Sequence, residues 1–290
     1  MIWLRVREDP NMKSAIGLIA LFVVIAFGLV ALNDIGEINF TFIGAHWQFL
    51  LEPAGTALFV TVIAYIIGFC LAIPLGMVRA FGPTWMRQKG LRSILIRPAY
   101  GIVTGYTEAI RGTPVFVQIL IIQGIVTSAL AKVPSIAVWS GIIALTINTT
   151  GYQTEVFRAG FQSVGQGQVE AARSIGMSPV QTFASVTLPQ GLRLIVLPLA
   201  NEWIGLFKAS SLLWYIAVQE LMWGMEYLGT TLNHPVDAFL MGSLFYLGII
   251  IPLSRAITFI EARKRIPGLG TGENLNKRFI TMRAIQRSRT

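Results

Sequence analysis

The sequence predicts an all-α, polytopic membrane protein of about six transmembrane helices, and three observations lead there. Hydrophobic residues make up 54% of the 290, charged residues only 13%, and the mean hydropathy is +0.64, whereas a soluble domain carries about 25% charged residues. Apolar runs recur near 14–32, 55–78, 98–124, 136–155, 192–213 and 238–260, each close to the roughly 20 residues that cross a bilayer. Lysine and arginine cluster in the intervening segments on one side of those runs, as the inward bias of basic residues requires.

The first run follows Arg5, Arg7 and Lys13 but is too long for a signal peptide and has no small-residue cleavage site after Leu32, so it is expected to remain as a helix. Residues 33–53 carry Asp34, Glu37 and Glu52 without lysine or arginine and hold Trp47 and Phe49, which suits an outer, interfacial loop. The third run is less sharply bounded than the rest. Apolar character extends from Ile94 to Ala131 around a charged centre, so a span over 111–131 competes with 98–124. The fourth, fifth and sixth runs are separated by a polar island at 169–189 and by an aromatic segment around Trp214 and Trp223. Glycine-bearing, basic residues follow from Ile266 and are expected to form a tail against anionic headgroups.

With both ends in the cytoplasm, 20 of the 23 basic residues fall on the inner side; Lys132 is the outer exception, and Arg111 and Lys208 lie within spans. This orientation puts the 169–189 island in the cytoplasm. The sequence there reads VEAARSIGMSPVQTFASVTLP. Glu170, Ala171 and Ala172 open a short helical run, Gly176 ends it in a left-handed cap, Ser178 and Pro179 begin a second run, and Pro189 is expected to close it. Two adjacent alanines allow a partner backbone to come close.

Several function classes are excluded. Cys70 is the single cysteine, and His46 and His234 stand 188 positions apart, so neither a disulfide framework nor a zinc site is indicated and no cofactor is implied. No lysine is preceded by glycine, which rules out a Walker A phosphate loop, and no G-x-S-x-G nucleophile elbow occurs. The net charge of +9 is spread over short loops and the tail and fits a membrane surface better than nucleic acid. The chain is therefore not expected to be an enzyme.

Four motifs in order then resemble one family. The 169–189 island resembles the cytoplasmic coupling loop of ABC importer permeases; Tyr106 to Gln118, YTEAIRGTPVFVQ, is similar to the arginine-glycine-threonine-proline signature of polar amino acid permeases; Tyr152 to Val164, YQTEVFRAGFQSV, is similar to the same group; and Lys208 to Leu212, KASSL, resembles a lysine-aspartate-threonine-serine-leucine element, departing at Ala209 and Ser210. The resemblance runs from about Gly55 to Lys264. It implies a type I transmembrane domain over 55–265, preceded by an extra helix and outer loop in 1–54 and followed by the tail in 266–290. It further implies two separate ATPase subunits, an extracytoplasmic solute-binding protein, a second permease subunit that is identical or related, and an amino acid as cargo in the plasma membrane of a bacterial-type cell. On this resemblance Glu170, Ala171, Ala172 and Gly176 would couple to the ATPase.

Charges inside spans are costly and mark function. Arg111 and Glu202 fall near the middle of the 98–124 and 192–213 runs, and an amino acid presents one carboxylate and one ammonium for such a pair. Arg111, Thr113, Asn201 and Glu202 are therefore the candidate substrate-binding residues. The alternative, that Arg111 and Glu202 simply neutralise each other, stands beside it. Pro114 frees a carbonyl in the preceding turn, which favours a broken helix at the site. Lys208 is a candidate gate or a lysine reaching the outer interface along its stem. Ser210 and Ser211 are expected to bond backbone carbonyls and mark a break. Glu155 and Arg158 read as a local i,i+3 helix pair, and Gly101 with Gly105 as a close-packing pair. An ion-coupled secondary transporter, a permease for a related solute such as an opine, and a membrane scaffold remain the competing functions.

Overall fold

The computed structural model of the chain describes residues 38–87, 90–130 and 133–263. The expected first helix at 14–32, Lys89, Lys132 and the basic tail lie outside the described residues. Among the described residues the chain is helical, without a strand, in the order α1 (Phe40–His46), a 3-10 turn (Trp47–Leu50), α2 (Leu51–Met86), α3 (Leu91–Gly112), α4 (Val115–Leu130), α5 (Ile136–Gln162), α6 (Gln166–Ser174), α7 (Pro179–Thr182), a π-helical turn (Phe183–Thr187), α8 (Leu188–Ala209), a second 3-10 turn (Ser210–Ile216), α9 (Leu221–Thr231) and α10 (Pro235–Arg263).

Among the described residues three continuous helical stretches are long and apolar enough to cross a membrane: Phe40–Met86, Pro179–Ile216 and Pro235–Ile257. The expected outer loop at 33–53 is corrected in part, because Asn39 caps α1 with its Oδ1 accepting from Phe42 N at 2.9 Å and the chain runs helically into α2. The expected third span is corrected too. It is two helices, α3 and α4, bent by 113° at Thr113 and Pro114. Pro114 lacks the N–H that would bond Ile110 O, and its ring pushes Thr113 into extended geometry (φ −119, ψ 147), so α3 stops there. Neither 98–124 nor 111–131 is a continuous helix.

Helix α5 is long enough to span, and it buries a polar face. Thr149, Thr150, Gln153 and Thr154 are buried. Thr150 and Thr154 donate their hydroxyls back to Thr146 O and Thr150 O, both at 2.7 Å, which leaves methyl groups to pack outward. Helix α2 lies against α5 through small residues. A methyl added at Gly68 would stand 2.5 Å from Thr149 Cγ2, and one at Gly76 would stand 2.5 Å from Phe157 Cβ. Gly151 of α5 admits Ile110 of α3, and Gly160 admits Ile195 of α8, in the same way. The sequence pointed instead to Gly101 and Gly105, but both are exposed and nothing lies within 4 Å of an added methyl.

At the end of α8, Ser210 Oγ donates to Phe207 O at 2.8 Å and Ser211 Oγ to Lys208 O at 2.7 Å, and the α-helix tightens into the 3-10 turn there. Glu220 then caps α9. It is fully buried, and its carboxylate accepts Met222 N at 3.0 Å and Trp223 N at 3.1 Å. Burial pushes the Glu220 carboxyl up to about 8 despite those bonds. A raised folded-state value means that the folded state holds a proton the unfolded chain releases. The stability from this group is therefore complete below the ordinary value of 4.5 and is lost as pH rises to about 8. Thermal unfolding of the purified protein should show stability falling across that window, and Glu220→Gln should flatten the slope.

The two histidines, remote in sequence, meet in the fold: His46 and His234 both stack on Phe42, each with centroids 4.3 Å away. His234 Nδ1 also bonds Asp237 Oδ2 at 2.9 Å, and Asn39 N donates to Asp237 Oδ1 at 2.7 Å. These contacts tie α1 to the first turn of α10.

Candidate functional site: a cavity at the helix break

The α3–α4 break opens onto a cavity of about 330 Å³ whose wall includes Thr113, Pro114, Asn148, Thr149, Tyr152, Glu202 and Gly205. Three elements build it: the break, the polar face of α5, and the middle of α8. Thr113 and Glu202, both singled out in the sequence, line it. Asn201 and Arg111 do not, being exposed residues beside the lining set. Asn148, Thr149 and Tyr152 were missed as site residues, although an i, i+1, i+4 polar face on a membrane helix was the signal for them.

The alternative pairing of Arg111 with Glu202 does not close to an ion pair among the described residues, although the Arg111 charge acts on the Glu202 carboxyl. Arg111 Nη1 lies 3.9 Å from Glu155 Oε2, its guanidinium carbon sits 6.0 Å from the Tyr152 ring centroid, and its side chain is 50% exposed. Among the described residues no ion pair includes Glu202. The charge that holds the helices is Glu155. Its Oε1 accepts Arg79 Nε at 2.9 Å and its Oε2 accepts Arg158 Nε at 2.8 Å, with the carboxylate only 11% exposed. Arg79 continues to Thr104 Oγ1 at 2.8 Å. The expected local pair of Glu155 and Arg158 is thus part of a node joining α2, α3 and α5. Arg111, the loosest of the three arginines, already has its counter-charge shared with the other two.

The backbone groups freed at the break are met by side chains. Thr113 Oγ1 donates to Ala109 O at 2.8 Å. Gln118 Nε2 donates to Ile110 O at 2.8 Å, the carbonyl that Pro114 cannot serve, and lies 3.1 Å from Thr113 O and 2.8 Å from Thr113 Oγ1. Such pairing is required where water is scarce.

On the other side of α5 the 169–189 island folds much as its sequence reads. Helix α6 ends with Gly176 N donating to Arg173 O at 3.0 Å and Met177 N to Ala172 O at 3.2 Å, a Schellman closure with Gly176 at φ +86. Ser178 and Gln181 form a reciprocal capping box at the start of α7, with Pro179 in its first turn. Helix α6 starts earlier than Val169, at Gln166. One expectation fails: Pro189 does not close the second run. The π-helical turn, in which Leu188 N reaches Phe183 O, carries α7 directly into α8, and Pro189 falls in the first turn of α8, where its missing donor is tolerated. Glu170 and Ala171 are exposed, Ala172 is buried, and Ile175 and Val180 stand 80% and 76% exposed on either side of the tight turn. Gly176→Val places a branched side chain at a left-handed position, a cost of about 1–2 kcal/mol. It should raise local amide exchange over 171–178 while leaving α5 and α8 protected.

Lys208 is exposed at the last turn of α8, and no ion pair includes it among the described residues.

The sequence profile of the family described as "Binding-protein-dependent transport system inner membrane component" matches residues 95–266. The chain is 32% identical over 173 residues to the probable glutamine ABC transporter permease protein GlnM of Bacillus subtilis, covering 60% of this chain and 79% of that one. It is 30% identical over 220 residues to the nopaline transport system permease protein NocM of Agrobacterium fabrum, covering 73% and 86%. Among solved structures, an amino acid ABC transporter crystallised with histidines superimposes with a TM-score of 0.67 at 26% identity, covering 78% of this chain and 99% of that one. The MetNI methionine ABC transporter, at 16% identity and a TM-score of 0.63, shares the fold. With the family profile spanning more than half of the sequence and a relative 30% identical over 73% of it, this chain belongs to the inner membrane permease components of binding-protein-dependent ABC importers.

Proposed function

We propose that the chain carries polar amino acids, or related zwitterions such as opines, through the cavity at the α3–α4 break, driven by ATP that separate ATPase subunits hydrolyse. The observation that carries this reading is the cavity itself, which has one carboxylate, Glu202, in its wall and an arginine beside it with only a long contact to its counter-charge. A zwitterion supplies the missing partner to each: its ammonium meets Glu202, and its carboxylate draws Arg111 from the shared Glu155. Glu155 stays neutralised by Arg79 and Arg158 when Arg111 swings, so the movement leaves no buried charge unpaired. Thr113 adds a hydrogen bond from the break, and Asn201 stands at the rim.

The ATPase subunits dock on the α6–α7 loop. Ile175 and Val180 supply an apolar tip of the kind that seats in a pocket, Glu170 and Ala171 flank it, and Ala172 and Gly176 hold its shape. Hydrolysis in the partners moves this loop, and the continuous α7–α8 path carries the movement to Glu202, opening the cavity alternately to an extracytoplasmic binding protein and to the cytoplasm. Lys208, at the far end of the same helix, gates the outer side. The working unit pairs two permease subunits, identical or related, with both termini of each in the cytoplasm, and divides into the extra segment 1–54, the permease domain 55–265 and the tail 266–290. An ion-coupled mechanism has no use for the docking loop and is not favoured.

The test is co-purification. Expressed with its partner ATPase, the chain should retain it through detergent purification, and Ile175→Glu with Val180→Glu should release it. Equal retention by that double variant would remove the docking assignment.

A further inference from the structure

The hydrogen-bond count at the break singles out Gln118. Pro114 removes one donor and ends α3, which leaves the carbonyls of Ala109, Ile110 and Thr113 to find partners outside a regular helix. Thr113 serves Ala109 with its own hydroxyl proton, so its oxygen is left as an acceptor. The Gln118 amide nitrogen lies within bonding distance of that oxygen, of Ile110 O and of Thr113 O. It has two protons for three acceptors. Its own oxygen is held from the opposite side by Asn148 Nδ2 at 2.9 Å. Gln118 is 8% exposed, as is Asn148. Asn148 lines the cavity and Gln118 does not.

We propose that Gln118 is the positioning residue of the transport site: its amide fixes the angle of the Thr113–Pro114 break and so aims Thr113 and Arg111 at the cavity. Asn148 anchors Gln118 to α5 and exposes it to the state of the cavity. This rests on the reading of the cavity as the solute site, and it goes beyond that reading by assigning a role to a side chain that solute does not touch. The geometry is selective. Ile110 sits against Gly151 at a distance where an added methyl on the glycine would overlap it, so the last turn of α3 is pinned to α5 on one side, and on the other the Gln118 amide holds the Ile110 and Thr113 carbonyls. Two protons among three acceptors always leave one acceptor unserved, so the clamp either serves both backbone carbonyls or gives one proton to the Thr113 hydroxyl. A solute group that bonds Thr113 Oγ1 or Asn148 chooses between them.

The test uses the assembled importer, with ATPase subunits and binding protein, in proteoliposomes supplied with labelled arginine, glutamine and cystine. Gln118→Met keeps the volume and removes the amide. Uptake should fall about tenfold or more, the scale on which misplacing a binding group acts. In an Arg111→Ala background the same substitution should cost less than it does alone, because only Thr113 is left to position. Equal losses in both backgrounds, or unchanged uptake, overturn the proposal. If Gln118→Met does not assemble, Gln118→Asn, whose amide is one methylene too short to span the carbonyls, carries the same cycle. Amide exchange over 109–118 in the complex is the independent readout. It should rise about tenfold in either variant, and unchanged exchange there overturns the clamp even if the unsubstituted importer takes up none of the three amino acids, an outcome that would count against the proposed cargo instead.

Discussion

Replacing Glu155 by leucine is expected to be the most damaging single change in this chain, costing about 3–5 kcal/mol of stability, the range for removing one partner of a buried ion pair. Glu155 accepts from Arg79 at 2.9 Å and from Arg158 at 2.8 Å, and it is the only carboxylate in ionic contact with Arg111 among the described residues. Without it three guanidinium groups face one another across α2, α3 and α5. Arg79, whose side chain is 13% exposed, is left with Thr104 Oγ1 and the Tyr100 ring. Unfolding followed in detergent should show the loss directly. Glu155→Leu with Arg79→Leu should recover part of it, since the second change removes the buried cation. A double variant as unstable as the sum of its parts would mean that the node is not what joins these helices.

Replacing Glu202 by glutamine should leave stability nearly unchanged and lower transport. No ion pair among the described residues includes Glu202, so the described fold does not need its charge, whereas a bound ammonium does. A hydrogen bond to a charged group contributes about 1.5–3 kcal/mol, so uptake at limiting solute should fall about 10- to 100-fold. Arg111→Ala should fall by a similar factor through the carboxylate end. The two losses should be less than additive when combined, because both act on one bound molecule. Uptake and half-saturation unchanged in Glu202→Gln would take the solute out of this cavity.

Much of the fold is legible in the amino-acid sequence, for physical reasons that differ from residue to residue. The α6–α7 loop was legible because caps are local chemistry: Gly176, Ser178 and Pro179 sit where backbone geometry demands those residue types, and neighbours only a few positions away satisfy them. Pro114 was legible as a freed carbonyl but not as a bend of 113°, since the angle depends on Gln118 reaching back eight residues and on Asn148 holding it from another helix. Pro189 misled for the related reason that a π-helical turn absorbs a missing donor without ending the helix. The role of Glu155 was underestimated because spacing reveals the partner on the same helix, Arg158, and hides Arg79, 76 positions away. Arg111 and Glu202 were found by the cost of charge in a membrane, yet that cost alone does not tell a pair from a site. The distances show only that the two make no close ion pair, Arg111 lying 3.9 Å from Glu155 instead.

The central claim is that ATP hydrolysed in separate subunits moves an amino acid through this chain. Proteoliposomes holding the assembled importer, with ATP sealed in with the ATPase subunits and binding protein outside, measure it most directly. Labelled arginine, glutamine or cystine should accumulate only when both ATP and the binding protein are present, and Glu202→Gln should abolish most of that accumulation. Accumulation driven by an imposed proton or sodium gradient without ATP would contradict it.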